Sequence, residues 1–150
     1  MFFTLPMKLV HNITVSVFIQ EPGIEKSLHQ LIPANWQKLD VRRQETQTHD
    51  ETPMTILSIA LHRNRDMQPT VQWLLGGLSE AEKKYCLRRI DDQSCLYVRL
   101  DKLNFLAGQR NFIEGGQCVH VRIKLAAYPS NRDNAMKIFD QLLASVQPQG

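Results

Sequence analysis

The sequence predicts a single α+β domain over residues 1–150, with a mostly antiparallel sheet and helices packed on one face. Stretches of alternating apolar and polar residues, typical of half-buried strands, are interspersed with stretches of helical period. Twice, two predicted strands follow each other without a helix between them, which favours antiparallel pairing. The predicted order is β-α-β-β-α-α-β-β-α. Residues 1–7 are expected to be a disordered extension or to precede a true start at Met7.

The first half of the chain contains three predicted strands and one short helix. Residues 13–19 alternate apolar and polar side chains, as in a strand with one buried face. A short helix with an apolar face begins near Ile24 and stops at Pro33, because the residue before a proline disfavours helical backbone. Residues 37–47 have the polar composition of an edge strand, and residues 54–62 form a strongly apolar strand.

The second half contains three predicted helices and two predicted strands. Asp66 is expected to cap the first helix, and residues 79–82 form a capping box that starts the second. Residues 96–101 and 119–125 both show period-two alternation. Asn131 is expected to cap a final helix with an apolar stripe, which completes the predicted order.

Composition excludes several classes of protein. The chain is 43% hydrophobic and 22% charged, which is typical of a globular domain and unlike a disordered or collagen-like chain. Cys86, Cys95 and Cys118 are odd in number and form no close pair, so neither a disulfide framework nor a zinc clip is indicated. No apolar run approaches the roughly 20 residues that span a bilayer. We therefore expect a reduced, cytoplasmic setting and no membrane association.

The positive charge is concentrated in one part of the chain. The formal net charge is only +3, but residues 96–132 hold six basic and two acidic side chains, a net of +4. The rest of the chain holds 12 basic and 13 acidic side chains. The location of the charge is therefore more informative than its total, since a local excess attracts polyanions.

Alternation places part of this charge on one predicted sheet face. His120, Arg122 and Lys124 point to the same side of their strand, and Tyr97 and Arg99 share the polar face of the preceding strand. If the two strands pair, they form a cationic patch beside an aromatic ring, which suits phosphate and base contacts. The alternative interpretation is that these side chains merely solvate the exposed face of an antiparallel sheet.

Other basic residues lie outside these two strands. The connection between the strands contains Lys102 and Arg110 among glycines, and its amides and cations suit close approach to a phosphate backbone. Arg63 and Arg65 form a second basic cluster, which precedes a predicted helix. A further cluster within residues 83–89 is interpreted as the solvated face of its helix.

The residues indicate no catalytic, metal or cofactor site. His29, His62 and His120 are isolated from one another and lack ligand spacing or a nearby carboxylate motif. The chain has no nucleophile elbow, phosphate-binding loop or dinucleotide fingerprint. We therefore expect a protein that is not an enzyme and needs no cofactor; a small hydrolase would require a pocket of converging titratable groups, and the sequence indicates none.

Part of the second half resembles a known family. The residues that carry the resemblance are 96–102, Gly108, Arg110, Gly115, Gly116, 120–124 and 126–129. They are similar to small archaeal RNA-binding proteins described as predicted exosome subunits, and residues 8–19 fit that family more loosely. Leu103 and the Gln117–Cys118 pair depart from its pattern. The resemblance implies a fold like that of the large-subunit ribosomal protein that binds 5S RNA.

Pattern and resemblance together favour a non-catalytic RNA-binding protein, associated with RNA processing or with the archaeal exosome. The predicted RNA-binding residues are Tyr97, Arg99, Lys102, Arg110, His120, Arg122 and Lys124, with Arg63 and Arg65 in support. Expected partners are RNA and exosome- or ribosome-associated proteins, and homodimer formation is left open. The main alternative is a protein–protein adapter that docks on an RNA-processing complex without touching RNA.

Overall fold

The computed structural model describes residues 9–19 and 23–146, which form a five-stranded antiparallel sheet and five helices. The strands are β1 (Val10–Ile19), β2 (Asp40–Gln47), β3 (Pro53–Leu61), β4 (Cys95–Asp101) and β5 (Cys118–Leu125). The helices are α1 (Ile24–Ser27), α2 (Asn64–Leu75), α3 (Glu80–Arg88), α4 (Lys102–Leu106) and α5 (Arg132–Ser145). The predicted α+β class is confirmed, whereas the prediction for residues 1–7 lies outside the described residues.

The strands are arranged in the order β2-β3-β1-β5-β4, and every pairing is antiparallel. The strand β1 lies at the centre, where Val15 pairs with Ile59 of β3 on one side and with Val121 of β5 on the other. β2 forms one edge and is polar except for Val41, as suits a strand whose outer side meets water. The central strand β1 therefore joins the β2–β3 pair to the β5–β4 pair.

The core lies on one side of this sheet. Ile13, Val15 and Val17 alternate along β1 and are almost completely buried, and they belong to one apolar cluster with Val71 of α2 and Phe139 of α5. The intervening residues of β1 point to the opposite side and are half-buried or exposed. One face of the sheet is therefore packed by helices while the other stays open, as period-two alternation predicts. Among the described residues, no helix is long and apolar enough to cross a membrane.

Two predicted helix starts are confirmed by their hydrogen bonds. The backbone N–H of Glu82 donates to Ser79 Oγ at 3.1 Å, and the Ser79 N–H donates to Glu82 Oε1 at 2.9 Å, which completes the capping box of α3. Asn131 Oδ1 accepts from the Asn134 N–H at 2.8 Å and starts α5. Both caps satisfy backbone donors that have no partner within the first turn of a helix.

Two predictions near helices are wrong or incomplete. The helix α2 begins at Asn64 with Arg63 at its N-cap, so Asp66 is not the cap but a buried residue in the first turn. The short helix α4 was not predicted, because five residues are too few to show a helical period. It is started by Asp101, whose Oδ2 accepts from the Asn104 N–H at 2.9 Å.

The capping box of α3 generates a stability prediction. We expect Ser79→Ala to lower the free energy of unfolding by about 1 kcal/mol, because the Glu82 N–H loses its acceptor. Ser79→Asp keeps an acceptor at the cap and should retain most of that stability. Urea denaturation of the three proteins measures the difference, and equal midpoints for all three would show that the cap contributes nothing.

Candidate nucleic-acid interface

The open face of the sheet carries the side chains that alternation predicted to point together. The strands β4 and β5 pair so that Tyr97 lies beside Arg122, and Arg99 lies beside His120. All four side chains are half-buried or exposed, whereas the intervening residues of the two strands are buried in the core. The predicted pairing of these two strands is therefore confirmed.

A groove of about 660 Å³ runs along this part of the open face. Its floor is formed by β1, β5 and β4, and its wall is formed by the end of α3 and the turn that follows. The residues that line it are Thr14, Ser16, Arg88, Arg89, Ile90, Asp91, Tyr97, Val98, Arg99, His120, Val121 and Arg122. We refer to this feature as the groove. Four arginines and one aspartate contribute the full charges of its lining.

Glu114 organises the wall of the groove. Its carboxylate pairs with Arg88 Nη2 at 3.0 Å and with Arg89 Nη1 at 2.9 Å. The Arg89 Nε also donates to the Tyr97 carbonyl at 2.6 Å, and its guanidinium lies 5.0 Å from the centre of the Tyr85 ring. Arg89 is thus held by three groups with only 17% of its side chain exposed, so its interpretation as a solvated helix residue is wrong.

Arg99 and Arg122 are held differently from the wall arginines. Arg99 Nη1 donates to the backbone carbonyl of Glu114 at 2.7 Å, and Arg122 Nη2 lies 3.5 Å from Thr14 Oγ1. Among the residues that the structure describes, neither guanidinium forms an ion pair with a carboxylate. Their charges are therefore not neutralised by a protein anion, which leaves them available to an anionic ligand.

Tyr97 and His120 supply a neutral aromatic surface beside these cations. Partial burial raises the pKa of the Tyr97 hydroxyl, with Cys95 and Asp91 adding to the effect, so the ring stays a neutral phenol. Burial lowers the pKa of His120, and the positive charges of Arg99 and Arg89 lower it further. The His120 imidazole is thus mainly neutral at neutral pH. Its Nε2 lies 3.2 Å from the Cys118 thiol, whose own pKa is raised by burial.

Lys124 lies at the rim and not in the lining of the groove. Its ammonium donates to the Gln93 carbonyl and lies 3.4 Å from Ser130 Oγ. These two contacts tie the side chain to the turn that precedes β4 and to the segment that follows β5, which lie together at one end of the sheet. Alternation along β5 therefore predicted the face of Lys124 correctly, but some of the hydrogen-bond donors of its ammonium are used within the protein.

Lys102 and Arg110 lie away from the groove and have internal partners. Lys102 is only 2% exposed, and its Nζ donates to the Phe18 carbonyl at 2.8 Å. Arg110 Nη1 donates to the carbonyls of Trp73, Leu74 and Gly76 at the end of α2, the shortest bond being 2.7 Å. Its guanidinium thereby satisfies carbonyls that a helix leaves unpaired at its C-terminus.

Arg63 and Arg65 occupy a second, smaller site. Both are exposed at the start of α2, where they line a pocket of about 350 Å³ together with Lys38 and His62. Asp40 also lines this pocket and accepts from His62 Nε2 at 3.3 Å. The two arginines are thus separate from the groove.

Within the described residues, no group of three or more His, Cys, Asp or Glu side chains is placed to hold a metal ion. The three cysteines are free and buried. Cys118 contacts the groove residue His120. The raised pKa of its thiol makes it a weak nucleophile, since the thiolate is the reactive form.

Sequence reasoning missed Arg42, which lies on the open face of β2. Arg42 pairs with Ser58 and is exposed, while the neighbouring Val41 pairs with Ile59 on the helix side. The available signal was Val41, because a lone apolar residue in a polar strand indicates which side faces the core. Thr14 and Ser16 were likewise predicted only to lie on the polar face of their strand, and their place in the groove lining was not predicted.

Comparison with known proteins gives both a family and a fold. A family model described as RNA binding matches residues 12–125. An RNA-binding protein from Pyrococcus abyssi is 27% identical over 137 residues, which cover 85% of this chain and 89% of the relative.

Two solved structures share the fold. A DUF54 protein from Methanothermobacter thermautotrophicus has a TM-score of 0.74 at 23% identity, over 90% of this chain and 98% of its own. A DUF54 protein from Archaeoglobus fulgidus has a TM-score of 0.70 at 22% identity, over 89% of this chain and 99% of its own.

The contacts of Arg110 predict a structural effect. We expect Arg110→Ala to lower the free energy of unfolding by about 2 kcal/mol, because the carbonyls at the end of α2 lose a charged donor. Arg88→Ala is a matched control, since the Arg88 side chain is 65% exposed and should change stability little. Thermal or urea unfolding measures both, and an Arg110→Ala protein as stable as the parent would contradict the capping role.

Proposed function

The chain belongs to the RNA-binding family, and we propose that it binds RNA through the groove on the open face of its sheet. The observation that carries this proposal is the placement, beside an exposed tyrosine, of two arginines that have no carboxylate partner in the described part of the chain. Arg99, Arg122 and Tyr97 all line the groove, and the neutral ring is 41% exposed. Proteins bind unpaired nucleotides through this combination, because the cations contact the phosphate and the exposed ring stacks on the base.

Arg99 and Arg122 are the proposed phosphate contacts. Their guanidinium groups approach the groove from neighbouring strands, and their planar donors suit two oxygens of one phosphate. Arg88 and Arg89 line the wall of the groove and share Glu114, so their positive charge is partly compensated. The proposed phosphate site is therefore at the β4–β5 side of the groove.

Tyr97 and His120 are the proposed base or sugar contacts. A phenol ring can stack on any base, because every base presents a π-face. A neutral imidazole can donate from one ring nitrogen and accept at the other, which suits hydrogen bonding to a base edge or to a 2′-hydroxyl. Phosphate beside the ring would favour its charged form, which gives the site a dependence on pH.

The hydrogen bonding and polarity of the two edge strands favour RNA binding in the groove over an adapter role. The outer side of β4 is already bonded, since the Tyr97 N–H donates to the Arg89 carbonyl and the Asp101 N–H donates to the Asn111 carbonyl. The outer side of β2 presents polar and charged residues, which protect an edge from added strands. Neither edge has the apolar, unpaired character that strand addition by a partner would use.

Several finer expectations stay predictions. They are a non-catalytic role, association with exosome or ribosomal proteins, and the ribosomal-protein fold implied by the resemblance. Arg63 and Arg65 stay second-tier candidates, because their pocket is separate from the groove and contains Asp40. Lys102 and Arg110 are left out of the proposed interface, because their cationic groups bond within the protein.

Removing one groove arginine tests the proposal. We expect Arg122→Ala to weaken RNA binding by roughly tenfold, because one charge-assisted contact to phosphate is lost. The slope of log affinity against log salt should fall by about 0.7 to 0.9 for that lost contact. Fluorescence anisotropy with a labelled oligoribonucleotide at several salt concentrations measures both quantities.

Lys137→Ala is the matched control for that experiment, since Lys137 is exposed on α5, on the far side of the sheet. It removes the same charge from the chain and should leave affinity and slope almost unchanged. Equal losses for the two variants would mean that binding responds only to net charge and would overturn the groove. A parent protein that binds no RNA but retains a protein partner would favour the adapter instead.

The lowered pKa of His120 predicts tighter RNA binding at acidic pH. The free imidazole is kept neutral by burial and by Arg99 and Arg89, whereas bound phosphate favours the imidazolium. Affinity should therefore rise as the pH falls below about 6.5, the ordinary value for histidine. His120→Gln should flatten this rise and His62→Gln should not; identical pH profiles for all three proteins would remove His120 from the interface.

A further inference from the structure

We propose that the bound RNA is single-stranded and crosses the open face at right angles to the strands, from the groove to Arg42 on β2. This inference rests on the proposed function of the groove. It adds the path of the RNA across the sheet, a contact with Arg42 and a preference for single strands. Arg42 is separate from the groove lining and lies on the opposite edge strand of the sheet.

The register of the sheet places five open-face residues in one line. Arg99 lies beside His120, His120 beside Ser16, Ser16 beside Ser58, and Ser58 beside Arg42. We refer to these five residues as the cross-strand row. The row spans four strand spacings, or roughly 19 Å. It begins at a groove arginine and ends at an arginine on the other edge.

The far end of the row has a cation that the fold does not use. Arg42 is exposed, and within the described part of the chain it has no carboxylate partner. The next residue, Arg43, lies on the helix side of β2 and pairs with Glu25 at 3.1 Å. Two adjacent arginines of one strand therefore differ in face and in charge compensation, and only Arg42 belongs to the open face.

The middle of the row is neutral and rich in hydroxyl groups. Ser16 Oγ and Ser58 Oγ lie 3.2 Å apart, and Thr14 is two residues from Ser16 on the same face. Hydroxyls both donate and accept hydrogen bonds, so they suit sugar oxygens and the 2′-hydroxyl. No charged side chain interrupts the row between its two ends, which allows a sugar–phosphate chain to lie across it.

Aromatic rings stand on both sides of the row. On one side, Tyr97 is two residues before Arg99 on β4 and lies beside Arg122. On the other side, Phe18 is two residues after Ser16 on β1. Both rings are 41% exposed, so part of each ring is accessible to a ligand on the open face. Such rings can stack on unpaired bases, but the bases of a duplex are already stacked inside it. The two rings therefore favour a single strand.

A path along β5 fits less well than a path across the strands. At one end of β5, Asp101 lies beside Cys118 and places a carboxylate on the open face. At the other end, the ammonium of Lys124 is bonded to the Gln93 carbonyl. Across the strands, by contrast, Arg99 and Arg42 stand at the two ends of the row, and neither has a carboxylate partner among the described residues. A sheet of this width corresponds to about four nucleotides, at the small end of single-strand site sizes.

Oligonucleotide length separates the groove from the path. A labelled uridine dinucleotide can occupy the groove alone, whereas a hexanucleotide can also reach Arg42. We expect Arg42→Ala to leave dinucleotide binding unchanged and to weaken hexanucleotide binding by about tenfold, while Arg43→Ala changes neither. The salt slope for the hexanucleotide should fall by about 0.7 in Arg42→Ala only. Phe18→Ala should weaken the hexanucleotide by fivefold or more.

The outcomes distinguish this path from the proposed function. If Arg122→Ala weakens both oligonucleotides while Arg42→Ala and Phe18→Ala weaken neither, the groove stands and the path is overturned. If Arg42→Ala and Arg43→Ala lower affinity equally, Arg42 acts only through net charge, which also overturns it. A duplex of the same length that competes as well as the single strand would overturn the strandedness. If the parent protein binds neither oligonucleotide, the proposed function fails and the path fails with it.

Discussion

The register between β1, β5 and β4 is the constraint on which the proposed interface depends. Val119, Val121 and Ile123 of β5 are buried, so the residues between them must face the open side. A shift of one residue would move the basic side chains into the core and expose the apolar ones. Each apolar side chain exposed in this way would cost about 1.5 to 3 kcal/mol. Packing of the core thereby fixes the positions of Arg122 and His120.

The arginines of this chain fall into groups according to the atoms that they contact, and these groups do not follow the order of the sequence. Arg110 and Arg132 donate to carbonyls at the ends of α2 and α3, where the helix dipole favours positive charge. Glu114 compensates Arg88 and Arg89. Arg99, Arg122 and Arg42 are the open-face arginines without a carboxylate partner among the described residues. A net charge of +3 is therefore compatible with a locally cationic face.

Local patterns predicted the strands and the caps at Ser79 and Asn131, because alternation and capping depend on neighbouring residues, whereas the predicted cap at Asp66 is wrong. The capping box at Ser79 and the pairing of β4 with β5 are confirmed for that reason. The destinations of Lys102 and Arg110 depend on residues far along the chain, since Lys102 bonds to Phe18 and Arg110 to Gly76. Spacing alone contains no information about such contacts. The open-face position of Arg42 was not predicted, because Val41 is the single apolar residue of β2 and a single residue gives no alternation.

The central claim is that RNA binds the open face of the sheet and not the face covered by α2 and α5. Amide chemical-shift mapping by NMR tests it directly, with the ¹⁵N-labelled protein titrated with a single-stranded oligoribonucleotide. We expect the largest shifts at Thr14, Ser16, His120 and Arg122, with the amides of α2 and α5 almost unchanged. Shifts concentrated on α2 or α5, or no shifts at high RNA concentration, would contradict the claim.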